Sequence, residues 1–137
     1  MYVETFTIVN NSAYDLNLDT TNSRNLDGVW PTSIAARTTS QPFKQSDHAS
    51  VNPTALYMMA GIASPTNVNM HFFCDGFDPL LHVNMTMSFS SNSAEFAGSS
   101  IYENNSNPPI TNNTSLAIDV TNDGSSQGSA TFTVGTG

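Results

Sequence analysis

Positive charge runs out early in this chain. Arg24, Arg37 and Lys44 are its only lysine or arginine residues, and none follows over the remaining two-thirds of its 137 residues. Acids continue through Asp47, Asp75, Asp78, Glu95, Glu103, Asp119 and Asp123, leaving a formal net charge of −8. Affinity for nucleic acid comes largely from Lys and Arg neutralising phosphates and releasing counterions, so nucleic acid is excluded as a partner. The same lack argues against phosphorylated substrates and removes the usual basic attraction to anionic lipid surfaces.

Other absences narrow the field further. A lone cysteine, Cys74, rules out an internal disulfide. Charged residues of either sign make up only 10% of the chain, against about 25% in ordinary soluble domains. No stretch approaches the ~18 consecutive apolar residues of a membrane helix. Met1 is followed by neither a basic segment nor an apolar one, so the expectation is cytoplasmic synthesis without a signal peptide. Export by a route that cleaves no signal stays open. Asn-x-Ser/Thr patterns at Asn10, Asn84, Asn104, Asn112 and Asn113 would carry glycans only in a secretory compartment.

Neutral polar residues fill the gap. Asn, Ser and Thr number 16, 18 and 16, giving a surface suited to hydrogen bonding rather than ionic recognition. A Ser/Thr-rich β-protein explains the same composition without any ligand, because strands favour Thr. The apolar pattern has period two throughout, with no helical stripe. Tyr2–Asn10 places Glu4, Phe6 and Ile8 on one face. Ala13–Asp19 places Tyr14, Leu16 and Leu18 inward. Residues 20–28 read as a polar loop, Val29–Trp30 as a short strand stopped by Pro31, and Ile34–Lys44 as extended chain. Ala55–Gly61 reads as a buried strand, with a single helical turn as the alternative. Asn67–Cys74 and Leu80–Ser90 are the clearest strands, and Ala94–Tyr102 is weaker. Asn104–Asn113, with Pro108 and Pro109, reads as loop. Leu116, Ile118 and Val120, then Ala130, Phe132 and Val134, mark two closing strands. About eight to ten short strands separated by turn signals predict a single all-β domain, an antiparallel β-sandwich.

The segment from 67 to 90 predicts a hairpin. One register satisfies both alternations, pairing Cys74 with Leu81, Phe72 with Val83, Met70 with Met85 and Val68 with Met87. A slip by one residue would turn His71 and His82 toward the core. Cys74 then behaves as a small buried hydrophobe. The opposite face carries Phe73 beside His82 and His71 beside Asn84. The two histidines would be its only cations, present mainly below about pH 6.5. Phe77 sits at the loop tip between Asp75 and Asp78, either as a contact residue or folded back to plug the sandwich.

Catalytic chemistry finds little support. His71-x-x-Cys74 with His82 suggests zinc, but the register turns Cys74 away from both histidines, and zinc needs converging ligands. Asp75 and Asp78 lack the dense oxygen ligands of a calcium loop. There is no Gly-x-Ser-x-Gly motif and no glycine-rich phosphate loop with its lysine. No catalytic residue, metal or cofactor is therefore assigned, and a protein that is not an enzyme is expected.

Several segments in order resemble the aegerolysins, small acidic β-sandwich proteins that recognise membrane lipids. Phe6-Thr7-Ile8-Val9-Asn10-Asn11-Ser12 is similar to their opening strand and turn. Trp30 falls near an early tryptophan, and Met70-His71-Phe72-Phe73-Cys74-Asp75 resembles a later strand ending in a cysteine and an acid. Ile118-Asp119-Val120, with Gly124, Gly128 and Thr131-Phe132-Thr133-Val134, resembles the closing hairpin. The resemblance implies binding to sphingolipid-type head groups and recruitment of a second, pore-forming protein. Taken with the uncharged surface, it makes a recognition module for membrane lipid or glycan the first expectation. Its ligand-binding candidates are Trp30, His71, Phe73, Phe77, His82 and Asn84. The alternative is a self-assembling structural protein, such as a coat, cement or crystalline-inclusion subunit, and a homo-oligomer stays open.

Overall fold

The computed structural model describes residues 3–27, 29–46, 53–61, 68–75, 82–89, 100–104, 116–122 and 127–135. They form eleven strands: β1 (Val3–Asn10), β2 (Asp15–Leu18), β3 (Ser33–Ile34), β4 (Thr38–Thr39), β5 (Phe43–Ser46), β6 (Thr54–Ala60), β7 (Val68–Asp75), β8 (His82–Phe89), β9 (Ser100–Asn104), β10 (Leu116–Asn122) and β11 (Gln127–Val134). The fold is all-β, with no helix among the described residues. Two sheets make up the sandwich. One runs β10-β11-β1, with β5 and β4 both beside β1; the other runs β3-β2-β6-β7-β8-β9.

Strand β1 organises the first sheet. Its inward residues Glu4, Phe6, Ile8 and Asn10 are buried, while the alternate Val3, Thr5, Thr7 and Val9 are only partly covered. It pairs in parallel with β11 along its whole length, from Val3 opposite Gln127 to Asn10 opposite Val134. On its other side β5 covers Val3–Phe6 and β4 covers Val9 and Asn10, both antiparallel. Between those two short strands Pro42, which has no N–H to offer a ladder, interrupts the pairing. Ser40 bridges the gap: its Oγ accepts from Ile8 N at 3.0 Å and its N–H donates to Ile8 O at 2.8 Å.

Aromatic rings join the sheets. Phe72 of β7 meets Phe132 of β11 edge to face, with centroids 5.0 Å apart. Tyr57 stacks behind Phe72 at 5.3 Å, and Phe6 lies beside Phe132 at 5.6 Å. Such pairs add about 0.5–1.5 kcal/mol each beyond the area they bury. Tyr57 donates its hydroxyl to Pro31 O at 2.7 Å, and burial pushes its pKa upward.

The chain crosses from the first sheet to the second just after β1, and a fully buried asparagine holds that corner. Asn10 Nδ2 lies 2.8 Å from Tyr14 O, 3.1 Å from Ile34 O and 3.3 Å from Ala35 O. Asn10 Oδ1 accepts from Ser12 N at 3.1 Å and lies 2.7 Å from Ser12 Oγ. One amide therefore ties the end of β1 to the start of β2 and the end of β3. The C-terminal end of β11 closes over the same turn, with Asn11 N donating to Val134 O at 2.8 Å.

The fold departs from the expectations of the sequence at four places, the first being that the sandwich, expected to be antiparallel, holds a parallel pair, β1 with β11. Val29 and Trp30 form a turn, not a strand; Trp30 is drawn inward against Phe6 and Phe43. The stretch 34–44, expected to be extended throughout, breaks into β3, β4 and β5, because the chain turns at Arg37, whose φ is 64°. The hairpin keeps the expected inward set, with Met70, Phe72, Val83 and Met85 all buried, but its register is displaced by two residues. Cys74 pairs with Val83, Phe72 with Met85, Met70 with Met87 and Val68 with Phe89. A displacement by two preserves the parity of every position, so alternation alone cannot choose between the two registers.

Two glycines with nearly equal φ provide a controlled test of the corner. Gly135 has φ +83°, and a Cβ there would lie 3.0 Å from Ser12 N and 3.1 Å from Asn11 C. Gly61 has φ +82°, with nothing within 4 Å. Gly61→Ala should cost about 1 kcal/mol for its left-handed backbone alone. Gly135→Ala should cost about 2–4 kcal/mol, since the new methyl also meets fixed main chain. Chemical denaturation of both variants measures the difference, and equal losses would show that the approach to Ser12 is not tight.

Candidate functional site

Between β2 and β3, the described residues 19–27 and 29–32 form no named strand. An irregular connection of this length inside a compact fold is unusual and is more often functional than not. Here it is tied down along its length. Asp19 opens it as a side-chain turn: Oδ1 accepts from Thr21 N at 3.1 Å and Asn22 N at 3.3 Å, and Oδ2 accepts from Asn22 Nδ2 at 2.7 Å. Ser23 Oγ donates to Asp19 O at 2.7 Å and accepts from Leu56 N at 3.0 Å, fixing the turn to β6. Arg24 then forms a two-way main-chain bridge with Thr54, at 2.8 and 2.9 Å. Asn25 follows with φ 59°, a conformation that Asn tolerates better than most residues.

The second half of the loop is held from the first sheet by Gln45. Its alternation on β5 points inward beside Phe43, and it is fully buried. Gln45 Oε1 accepts from Asp27 N at 2.9 Å and from Trp30 Nε1 at 2.6 Å. Its Nε2 donates to Ser46 O at 2.8 Å and lies 3.4 Å from Asn25 O. Asp27 Oδ2 in turn accepts from Ser46 N at 2.7 Å. Every polar atom of this buried amide has a partner, which is the condition for a buried polar group to stabilise rather than cost.

The tethered loop lines an open cavity of about 380 Å³, bordered by Leu18, Thr20, Ser23, Arg24, Asn25, Leu26, Asp27, Trp30 and Thr32. That volume lies in the range of small-molecule sites, and apolar walls with a few placed polar groups are their usual make-up. Arg24 is exposed, and its guanidinium makes no ion pair among the described residues. A second concavity, near 360 Å³, lies beside β3 and β4 and is lined by Val29, Pro31, Ile34, Thr38 and Phe43 among others; it has no charged side chain.

Of the residues expected from sequence, Trp30 is the one that the described lining of the loop cavity includes. It is only 4% exposed, packed against Phe43 with centroids 4.7 Å apart, so it forms part of the floor and no open aromatic platform. The pairing expected for the hairpin face is corrected by the two-residue displacement. Phe73 stands opposite Asn84, His71 opposite Thr86, and His82 opposite Asp75. Phe77 lies outside the described residues. The backbone nevertheless connects the two regions. Arg24 pairs with Thr54, Thr54 with Phe73, Phe73 with Asn84, and Asn84 with Tyr102, in one row across the second sheet. With strands about 4.8 Å apart, Phe73 and Asn84 stand roughly 10 and 14 Å along that row from Arg24.

Sequence reasoning missed Arg24, Asp27, Gln45 and the loop hydroxyls as parts of a site. Gln45 carried a readable signal, a polar residue in the inward phase of β5. Among the described residues no group of three His, Cys, Asp or Glu side chains could hold a metal ion, and no helix is long and apolar enough to cross a membrane. Comparison with protein-family models matches no family, and comparison with curated proteins gives no match.

The loop's tethers can be tested one at a time. Gln45→Leu removes the acceptor of one buried and one part-buried donor and should destabilise by about 2–4 kcal/mol. Trp30 is the chain's one tryptophan, so its emission should also shift to the red; a blue-shifted emission with unchanged stability would show that the clamp is dispensable. The Asn22 side-chain amide, with the backbone N–H groups of Asn22 and Thr21, holds the Asp19 carboxyl below its usual value. Its folded pKa being lowered, the turn's contribution is present above the ordinary carboxylate range and is lost as pH falls through that lowered pKa. The Thr21 and Asn22 amide resonances should titrate together with a midpoint below 3.8, the carboxyl's usual value.

Proposed function

We propose that this protein is a recognition module, not an enzyme, and that it binds glycans or membrane lipid head groups through the cavity of the 19–32 loop. One observation carries this reading. An irregular loop is anchored to both sheets by buried and part-buried hydrogen bonds, and it lines an open pocket of mixed polar and apolar character, with a guanidinium at its wall that makes no ion pair among the described residues. Anchoring satisfies the loop's buried polar groups, and it also fixes the walls before a ligand arrives, which is how a binding site gains affinity. The neutral hydroxyl and amide groups of Thr20, Ser23, Asn25 and Thr32 match hydroxylated ligands. The row from Arg24 to Asn84 allows a larger glycan or head group to extend from the cavity toward the hairpin.

Trp30 makes the test direct, since the sole tryptophan forms part of the cavity floor. A glycan array and vesicles of sphingomyelin or phosphatidylcholine should yield at least one ligand that changes Trp30 emission on titration. Thr20→Tyr and Thr32→Tyr place bulk at two exposed lining positions. They should weaken that binding by tenfold or more while leaving the melting temperature within a few degrees. Size-exclusion chromatography across concentration reads the other possibility: assembly that grows with concentration, with no ligand found, would replace recognition by a self-assembling structural role.

A further inference from the structure

The described lining of the cavity holds one cation in an acidic chain, which constrains the ligand more tightly than shape does. Of the three basic residues, Arg37 donates through Nη1 to Asn11 O at 2.5 Å and so serves the corner after β1. Lys44 alternates outward on β5, away from the loop cavity. Arg24 alone lines the cavity, and its guanidinium is committed to no ion pair among the described residues. Its main chain is nevertheless fixed by the two-way bridge to Thr54, with the strained Asn25 directly after it. A pinned backbone carrying an uncommitted planar donor fork is an arrangement suited to a carboxylate, which accepts two parallel N–H bonds.

Charge sets the number of anionic groups. The chain carries a net −8, and Asp27 lines the same cavity with its Oδ2 anchored to Ser46 N. A doubly charged phosphate monoester would meet one guanidinium and a surrounding field of its own sign. A single carboxylate is matched one to one. The remaining lining offers neutral hydroxyls at Thr20 and Thr32, and presents apolar surface at Leu18 and Leu26. Sugar hydroxyls can donate toward the Asp27 side, where a second anion would be repelled. Resting on the recognition role proposed above, we infer that the cavity binds a sugar unit carrying one carboxylate, with that carboxylate on Arg24.

Methyl glucuronide and methyl glucoside test this as a matched pair, the same ring with and without the carboxylate. Titration of the full chain, followed by Trp30 emission and by calorimetry, should show the glucuronide binding about tenfold or more tightly than the glucoside, and less so at high salt. Arg24→Gln should bring the glucuronide down to the glucoside's level, and Arg24→Lys should recover only part of the preference because it keeps the charge and loses the fork. The Arg24 side chain bonds to nothing described, so both variants should melt with the parent; a melting curve confirms it, and Thr20→Tyr provides an independent loss of cavity binding. Equal binding of the two sugars, or a glucuronide preference that survives Arg24→Gln, overturns the carboxylate assignment while leaving glycan recognition standing. Arg24-dependent binding to phosphatidylglycerol vesicles with no response to the glucuronide overturns it in favour of a phosphodiester head group. No response to either sugar, to the glycan array or to any vesicle overturns the recognition role along with it.

Discussion

A chain that crosses between two facing sheets carries its amide and carbonyl groups through the edge of an apolar core, where each needs a partner. This protein answers that constraint with neutral amides at both ends of the sandwich. Asn10 collects the carbonyls of Tyr14, Ile34 and Ala35 where β1 gives way to β2. Gln45 collects Asp27 N and Trp30 Nε1 where the 19–32 loop crosses back toward β5. Both side chains sit in inward phases of their strands, at positions where an ordinary sandwich would place Leu or Val. The aromatic contacts between Phe72, Phe132 and Phe6 fill the space between these two ends. A neutral amide suits this task because it offers donors and an acceptor together and brings no charge to desolvate.

The fold class is legible in the alternation of apolar residues alone. Leu16, Met70, Phe72, Leu116, Ile118, Ala130 and Phe132 all lie buried where period two placed them. What period two cannot encode is register beyond parity. The β7–β8 ladder is therefore displaced by two residues from its expected pairing, and Phe73 pairs with Asn84 rather than His82. Connections are the other blind spot. Trp30 reads locally as a strand residue before a proline, and only the distant Gln45 explains why it turns into the core.

The candidate site is hidden from sequence for the same reason. Asp19, Ser23, Arg24 and Asp27 belong to a polar stretch that sequence alone labels as loop. Their importance comes from partners far along the chain: Thr54 and Leu56 on β6, and Gln45 and Ser46 on β5. The early end of positive charge takes on a different meaning in this setting. An acidic, weakly charged protein leaves a single guanidinium at its cavity, so one residue can set the electrostatic preference of the whole site. The hairpin residues His71, Phe73, His82 and Asn84 remain on the same sheet, linked to Arg24 through the row at Thr54.

The parallel pairing of β1 with β11 has a mechanical meaning. The chain enters β1 at Val3, beside Gln127, and leaves β11 at Val134, beside Asn10, so entry and exit lie at opposite ends of one ladder. Tension applied between those two points acts along the strands and shears all eight paired positions at once. It cannot peel them apart in sequence, as it would for strands pulled from the same end. Bonds loaded together resist far more force than bonds loaded one after another, and forced unfolding is governed by that barrier rather than by equilibrium stability. A domain loaded through these two paired strands would resist pull even if its thermodynamic stability were ordinary.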